Sequence, residues 1–137
     1  MQNGLQNPAA LVGRLLLAIL FIKYGFEKVT GFEGTVGYIA SKGLPMPAVL
    51  AALATLVELG GGILVAIGLF TRWAALAISG FCVLTAILFH PFWAAPAASQ
   101  MGDQISFFKD LAIAGGMLML VAFGPGALSV DARRSVA

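Results

Sequence analysis

Four apolar runs separated by short stretches of glycine, proline and charge set the frame of this chain. They cover about residues 9–26, 46–70, 73–90 and 104–124. Few polar residues interrupt them. Arg14 and Lys23 lie near the two ends of the first, and Thr55 and Glu58 stand alone in the second. Each run has about the 17–25 residues needed to cross a hydrocarbon layer of about 30 Å as a helix. Short connections between such helices predict an up-down-up-down arrangement. The expected fold is all-α, an integral membrane four-helix antiparallel bundle. No repeat of 20–50 residues is visible, so residues 1–137 read as one domain.

The connections carry their own signals. Pro8 suits a first helical turn. Glu27–Pro47 is punctuated by glycine and proline, yet contains an amphipathic piece, Phe32–Lys42, long enough for a short helix at the interface. Thr71-Arg72 predicts a tight turn in which the Thr71 hydroxyl caps the third helix. Pro91 ends that helix after His90. Phe89, Phe92 and Trp93 read as an aromatic belt, and Ala94–Asp103 as a small-residue loop. Gly124-Pro125-Gly126 stops the fourth run.

Composition agrees with this frame. The 137 residues are 60% hydrophobic and 10% charged, with a mean hydropathy of +0.96. Soluble domains carry about 25% charged residues, so the polar surface here is too small to coat a water-soluble globule. The eight Lys and Arg form no basic stripe, which argues against nucleic acid. A single cysteine, Cys82, excludes an internal disulfide and a cysteine-based zinc site. A single histidine excludes bis-histidine haem, and no metal site is expected. The first eight residues lack a positively charged leader, so the first run reads as a retained span. Gly60-Gly61-Gly62 follows no strand and is not a phosphate cradle.

In an even-spanned bundle the termini share a side with the Thr71-Arg72 turn. That side holds Arg14, Arg72, Arg133 and Arg134, against Lys23, Lys28, Lys42 and Lys109 on the other. Setting aside the three that lie inside runs leaves three Arg against two Lys. This places both termini in the cytoplasm.

The candidate chemistry centres on Glu58. A helix puts Ala51, Ala54, Thr55, Glu58, Gly61, Gly62 and Val65 on one face, because residues three and four apart are neighbours. Small residues there let a second backbone approach, so Glu58 faces protein. An acid at that depth needs a partner and is a functional candidate. Lys23 differs from it in depth by roughly 5 Å. Since helical side chains lean toward their own N-terminus, the two converge. Lys23 is thus the first expected partner and Lys109 the second. Arg14 leans the other way, toward headgroups, and reads like Lys23 as an interfacial anchor.

Lys23, Tyr24, Lys28, His90, Trp93, Lys109 and Asp110 cluster at the side of the longer loops, and all but Tyr24 are, with Glu58, candidates for binding a ligand or handling a proton. Glu58 reads either as a ligand-binding or proton-handling carboxylate or as a structural acid that pins helix register. His90 is an interfacial cap or a proton relay. Trp93 is an anchor. Lys109 and Asp110 satisfy each other and the first-turn N–H groups. The glycine pairs 61–62 and 115–116 are packing devices. No nucleophile–base pair is visible, and no catalytic residue is assigned.

Several of these features recur together in one family. The elements are Gly25, Lys28, Gly31 and Phe32 closing the first run, Glu58-x-x-Gly61-Gly62 in the second, and the Thr71-Arg72 turn. His90-x-Phe92-Trp93 ends the third, and Lys109-Asp110-Leu111-Ala112 with Gly115-Gly116 opens the fourth. The chain resembles the DoxX family of small four-span bacterial membrane proteins over nearly its whole length. Asp110 stands where asparagine is usual. The family is named for membrane subunits of a thiosulfate:quinone oxidoreductase, and other members are linked to redox stress. The resemblance implies an inner-membrane protein that binds lipid or a quinone within a membrane redox assembly, with a protein partner and no complete catalytic machinery of its own. A structural factor docking a partner enzyme is the alternative, and a small transporter a weaker one.

Overall fold

The computed structural model describes residues 4–135. Among these residues four helices are long and apolar enough to cross a membrane: span 1 at Gln6–Thr30, span 2 at Pro47–Ile67, span 3 at Thr71–Phe89 and span 4 at Ala97–Phe123. Among the described residues there is no strand. The expected all-α membrane architecture is therefore present. Phe32–Ser41 forms the short connecting helix, and Tyr38 stacks on Phe89 with ring centroids 5.5 Å apart.

Two boundaries differ most from expectation. Span 1 runs on to Thr30. Span 4 begins at Ala97, so Ala94–Asp103 is mostly helix rather than loop. The segment lacks a periodic apolar face, which made it read as a connection, but alanine has the highest helix propensity of any residue. Lys109 and Asp110 consequently lie well inside span 4, not in its second turn.

The core draws on all four spans: Ala18 and Phe21, Val65, Ala74, Ala75, Ile78 and Cys82, then Ala114, Met117 and Leu120. Its many alanines let the backbones approach closely. Along span 2 the predicted stripe is the inner face, with Ala51, Glu58, Gly62 and Val65 buried. At Gly25 a Cβ would stand 2.5 Å from the Leu59 backbone nitrogen, and at Gly62 one would stand 3.1 Å from Phe21 Cβ. Glycine is thus what lets spans 1 and 2 lie flush. Gly116 packs against Leu17, whereas Gly115 faces open space and is not a packing device. Outward faces carry large apolar side chains such as Leu16, Ile19, Leu56 and Met119, as lipid contact requires.

The end that bears the termini is closed by protein. After Phe123 the chain folds back across the bundle, and its short helix Val130–Arg134 sits against the turn between spans 2 and 3. Arg14, expected to reach headgroups, is 3% exposed. Its guanidinium donates to Ala66 O at 3.3 Å, Pro125 O at 2.7 Å and Leu128 O at 2.6 Å. The side chain does lean toward its own end of the membrane, but the tail meets it there. Ala66 lies in the last turn of span 2, so the cation also faces the negative end of a helix dipole.

Asp131 supplies the cap that Thr71 was expected to provide. Its carboxylate accepts from Phe70 N, Thr71 N and Thr71 Oγ1, each at 2.9 Å. Its own N–H donates to Gly68 O at 2.8 Å. Gly68 has φ +73, and a Cβ there would press to 2.4 Å from Ser129 Cβ. Partial burial acts to raise the Asp131 carboxyl, but the Thr71 and Phe70 donors and the Arg134 charge outweigh it. The group is held below its ordinary value of 3.8. A depressed pKa means stability that is present above the unfolded value and lost as pH falls through the folded one. Replacing such a cap costs about 1 kcal/mol. Asp131→Asn is therefore expected to lower the melting temperature near neutrality, with the gap to wild type closing below about pH 4. Parallel melts across pH check this, and a gap that does not depend on pH would contradict it.

Candidate functional site

Span 2 is not a uniform α-helix. Leu56–Gly60 forms a π-type turn, a feature that often marks functional sites. Glu58 is its central residue and is 6% exposed. Lys28 Nζ lies 2.8 Å from Glu58 Oε2. The approach is a charge contact whose angle does not make a hydrogen bond, so that buried oxygen has a counter-ion but no well-directed donor.

The expected partners, Lys23 first and Lys109 second, are both corrected. Lys23 pairs with Glu27 at 2.7 Å, one helical turn on, with both side chains more than half exposed. Its ammonium also sits 4.4 Å from the centre of the Tyr24 ring. The reason is azimuth. Gly25 presses on Leu59, and Lys28, three residues later, shares the face of Gly25, while Lys23 points away. Reasoning from depth alone did not distinguish them.

Spans 1 and 4 meet only locally, where Leu17 methyls pack within 3.4 Å of the space above Gly116. Tyr24 and Lys28 follow Leu17 at intervals of seven and eleven residues, and Lys109 and Ile105 precede Gly116 at the same intervals. In antiparallel helices these positions face the same seam. Yet Tyr24 is 45% and Ile105 53% exposed. Toward the loop side the two helices therefore separate and leave a lateral opening. A shallow recess of about 480 Å³ is lined by Gln104, Ile105, Phe108, Lys109 and Ala112, all of span 4. Among the described residues Lys109 has no carboxylate within ion-pair distance, so the expected Lys109–Asp110 pairing is absent.

Asp110 faces the bundle. Its Oδ2 is 3.2 Å from Thr85 Oγ1 of span 3, not on first-turn N–H groups. At the loop end His90 Nδ1 stands 3.4 Å from Asp103 Oδ1. Trp93 is 58% exposed and packs edge-on with Phe92 and Phe107, at 5.3 and 5.6 Å. The structure thus gathers Lys28, Glu58 and Lys109 about the seam and Asp110 and His90 between spans 3 and 4, and it leaves Lys23 and Trp93 on outer surfaces. Sequence reasoning missed Thr85 and Asp103. The available signal was the seven-residue spacing of Asp103 and Asp110, which puts both on one helical face. The described residues hold no group of three or more His, Cys, Asp or Glu side chains arranged to bind a metal ion.

The sequence has relatives among known proteins. The chain is 39% identical over 131 residues to the inner membrane protein YphA of Escherichia coli, covering 95% of this chain and 94% of that one. It is 42% identical over 127 residues to the inner membrane protein YqjF of the same organism, covering 93% and 92%. CatD of Bacillus subtilis, whose name describes an oxidoreductase, is 40% identical over 96 residues, 63% of this chain and 68% of that one. No solved structure matches. The DoxX family model matches residues 9–91, and with four membrane-crossing helices and two inner-membrane relatives of full length, the chain is an integral membrane protein that belongs to the DoxX family.

Proposed function

We propose that this protein holds the headgroup of a quinone in the seam between spans 1 and 4, as the ligand-holding subunit of a membrane redox assembly. The observation that carries the reading is the Lys28–Glu58 contact, its acid buried at a π-type turn of span 2, with Lys109 of span 4 exposed and, among the described residues, without a carboxylate partner. A lipid-soluble ligand reaches the lateral opening of the seam sideways, without leaving the bilayer. Its carbonyl oxygens accept from the Lys109 and Lys28 ammonium groups, and Glu58 handles the proton that accompanies reduction. Electrons come from a partner protein. The name of the relative CatD, which describes an oxidoreductase, supports the redox part of the reading.

The test is the stability of the full chain in lipid nanodiscs with and without added ubiquinone. A ligand at about 100 times its Kd stabilises the folded state by about 2.7 kcal/mol. The expected result is a clear rise in Tm for the wild type that is lost in Lys109→Gln. No rise, or the same rise in both proteins, refutes the reading. A rise produced by an anionic phospholipid but not by the quinone assigns the seam to a lipid headgroup instead.

A further inference from the structure

Charge is divided unequally between the two ends of the bundle. With the Lys28–Glu58 pair set apart as neutral, the loop end holds Lys23, Lys42 and Lys109 against Glu27, Glu33, Asp103 and Asp110, a net of −1. The tail end holds Arg14, Arg72, Arg133 and Arg134 against Asp131, a net of +3. The positive charge of the chain therefore comes from the tail end alone. Arg14 is buried on backbone carbonyls there. The other three arginines are exposed, and among the described residues none has a carboxylate within ion-pair distance. Asp131 offsets them only at a distance, because its oxygens are bonded to Phe70 N, Thr71 N and Thr71 Oγ1.

Two of the exposed guanidinium groups are held by the fold. Arg72 Nε and Nη2 lie 3.6 Å from where a Gly124 Cβ would stand, against the end of span 4. Arg134 Cζ sits 5.1 Å from the centre of the Phe70 ring. The short helix that carries Arg133 and Arg134 is fixed through Asp131 to the turn that leads into Arg72. All three cations are thus presented by two segments bonded to each other.

The surroundings say what covers them. Trp73, in the first turn of span 3, and Phe123, at the last residue of span 4, are each 75% exposed. Phe70 and Leu128 are about half exposed. Aromatic residues at such helix ends settle at the level of lipid headgroups, so the arginines stand where lipid phosphates lie. The apolar rim around them continues into the lipid-facing sides of the spans, which a bilayer covers and a soluble acidic partner would leave in water.

We propose that the tail end is a binding surface for anionic phospholipid headgroups, with Arg72, Arg133 and Arg134 as its contacts. A guanidinium fork binds phosphate oxygens through paired N–H donors. Each basic residue beside an anionic surface adds about fivefold to the preference for it. The surface is separate from the seam between spans 1 and 4 and does not depend on the ligand held there.

The chain has two tryptophans, Trp73 at the tail end and Trp93 at the loop end, and they supply the test. The full chain is placed in phosphatidylcholine bilayers that contain brominated phosphatidylglycerol or brominated phosphatidylcholine, whose bromines quench nearby indole fluorescence. Trp93→Phe reports on Trp73 alone, and Trp73→Phe on Trp93 alone. Phosphatidylglycerol is expected to bind beside Trp73 at least about fivefold more strongly than phosphatidylcholine, with no such preference at Trp93. The preference is expected to fall to near parity in about 1 M salt, where charges are screened beyond about 3 Å, and in Arg72→Gln/Arg133→Gln/Arg134→Gln. Equal quenching of Trp73 by the two lipids overturns the proposal, as does an equal preference at Trp93 or one that survives in the triple variant. Should that variant not fold, the salt series decides, and a preference unchanged in high salt overturns the proposal. A preference abolished by inorganic phosphate at fixed ionic strength overturns it too, and assigns the arginines to a free anion.

Discussion

Arg14→Leu is expected to destabilise the protein more than any other single substitution described here. It would strand the carbonyls of Ala66, Pro125 and Leu128 under a folded tail, at about 1–3 kcal/mol for each unsatisfied group. The total is at least about 3 kcal/mol. Arg14→Lys keeps the charge but loses the planar fork, and an intermediate loss is expected because lysine does not reproduce guanidinium geometry. Detergent-titration unfolding followed by circular dichroism measures both. A loss for Arg14→Leu within the roughly 0.5 kcal/mol typical of a surface site would mean that the tail does not depend on this residue.

Lys28→Met has the second largest expected effect. It leaves the Glu58 carboxylate buried without its cation, and removing one member of a buried pair costs about 3–5 kcal/mol. The Lys28 side chain is 25% exposed, which places the loss near the lower end. Removing both charges in Lys28→Met/Glu58→Gln is expected to recover most of it, because a neutral pair of similar volume carries no stranded charge. The coupling read from the double-mutant cycle should fall within the range of about 0.5–3 kcal/mol seen for contacting residues. Additive losses would show that the two side chains do not act as a pair.

The fold was legible because membrane spans announce themselves by length and hydropathy. The inner face of span 2 was legible too, since small residues and Glu58 recur at helical spacing. The partner of Glu58 was not. Choosing Lys28 over Lys23 requires the rotation of span 1 about its axis, and the Gly25–Leu59 contact sets that rotation. The lock on Arg14 was equally hidden. Nothing local to Val12–Leu16 reveals that Pro125 and Leu128, more than a hundred residues later, return to meet it. Asp110 was assigned to its sequence neighbour because helix N-termini attract acids. With span 4 starting at Ala97, that terminus is too far away, and a residue on span 3 takes its place.

The folded tail makes the two faces of the molecule unequal. Anything entering from the loop side would descend past ionisable groups and then meet Phe21, Met117 and Leu120, with a guanidinium bolted to backbone beneath them. Passage onward would first require the tail to come undone. The tail thus acts as a plug that fastens one end of the bundle, while the ionisable Asp103, Asp110 and His90 collect at the other.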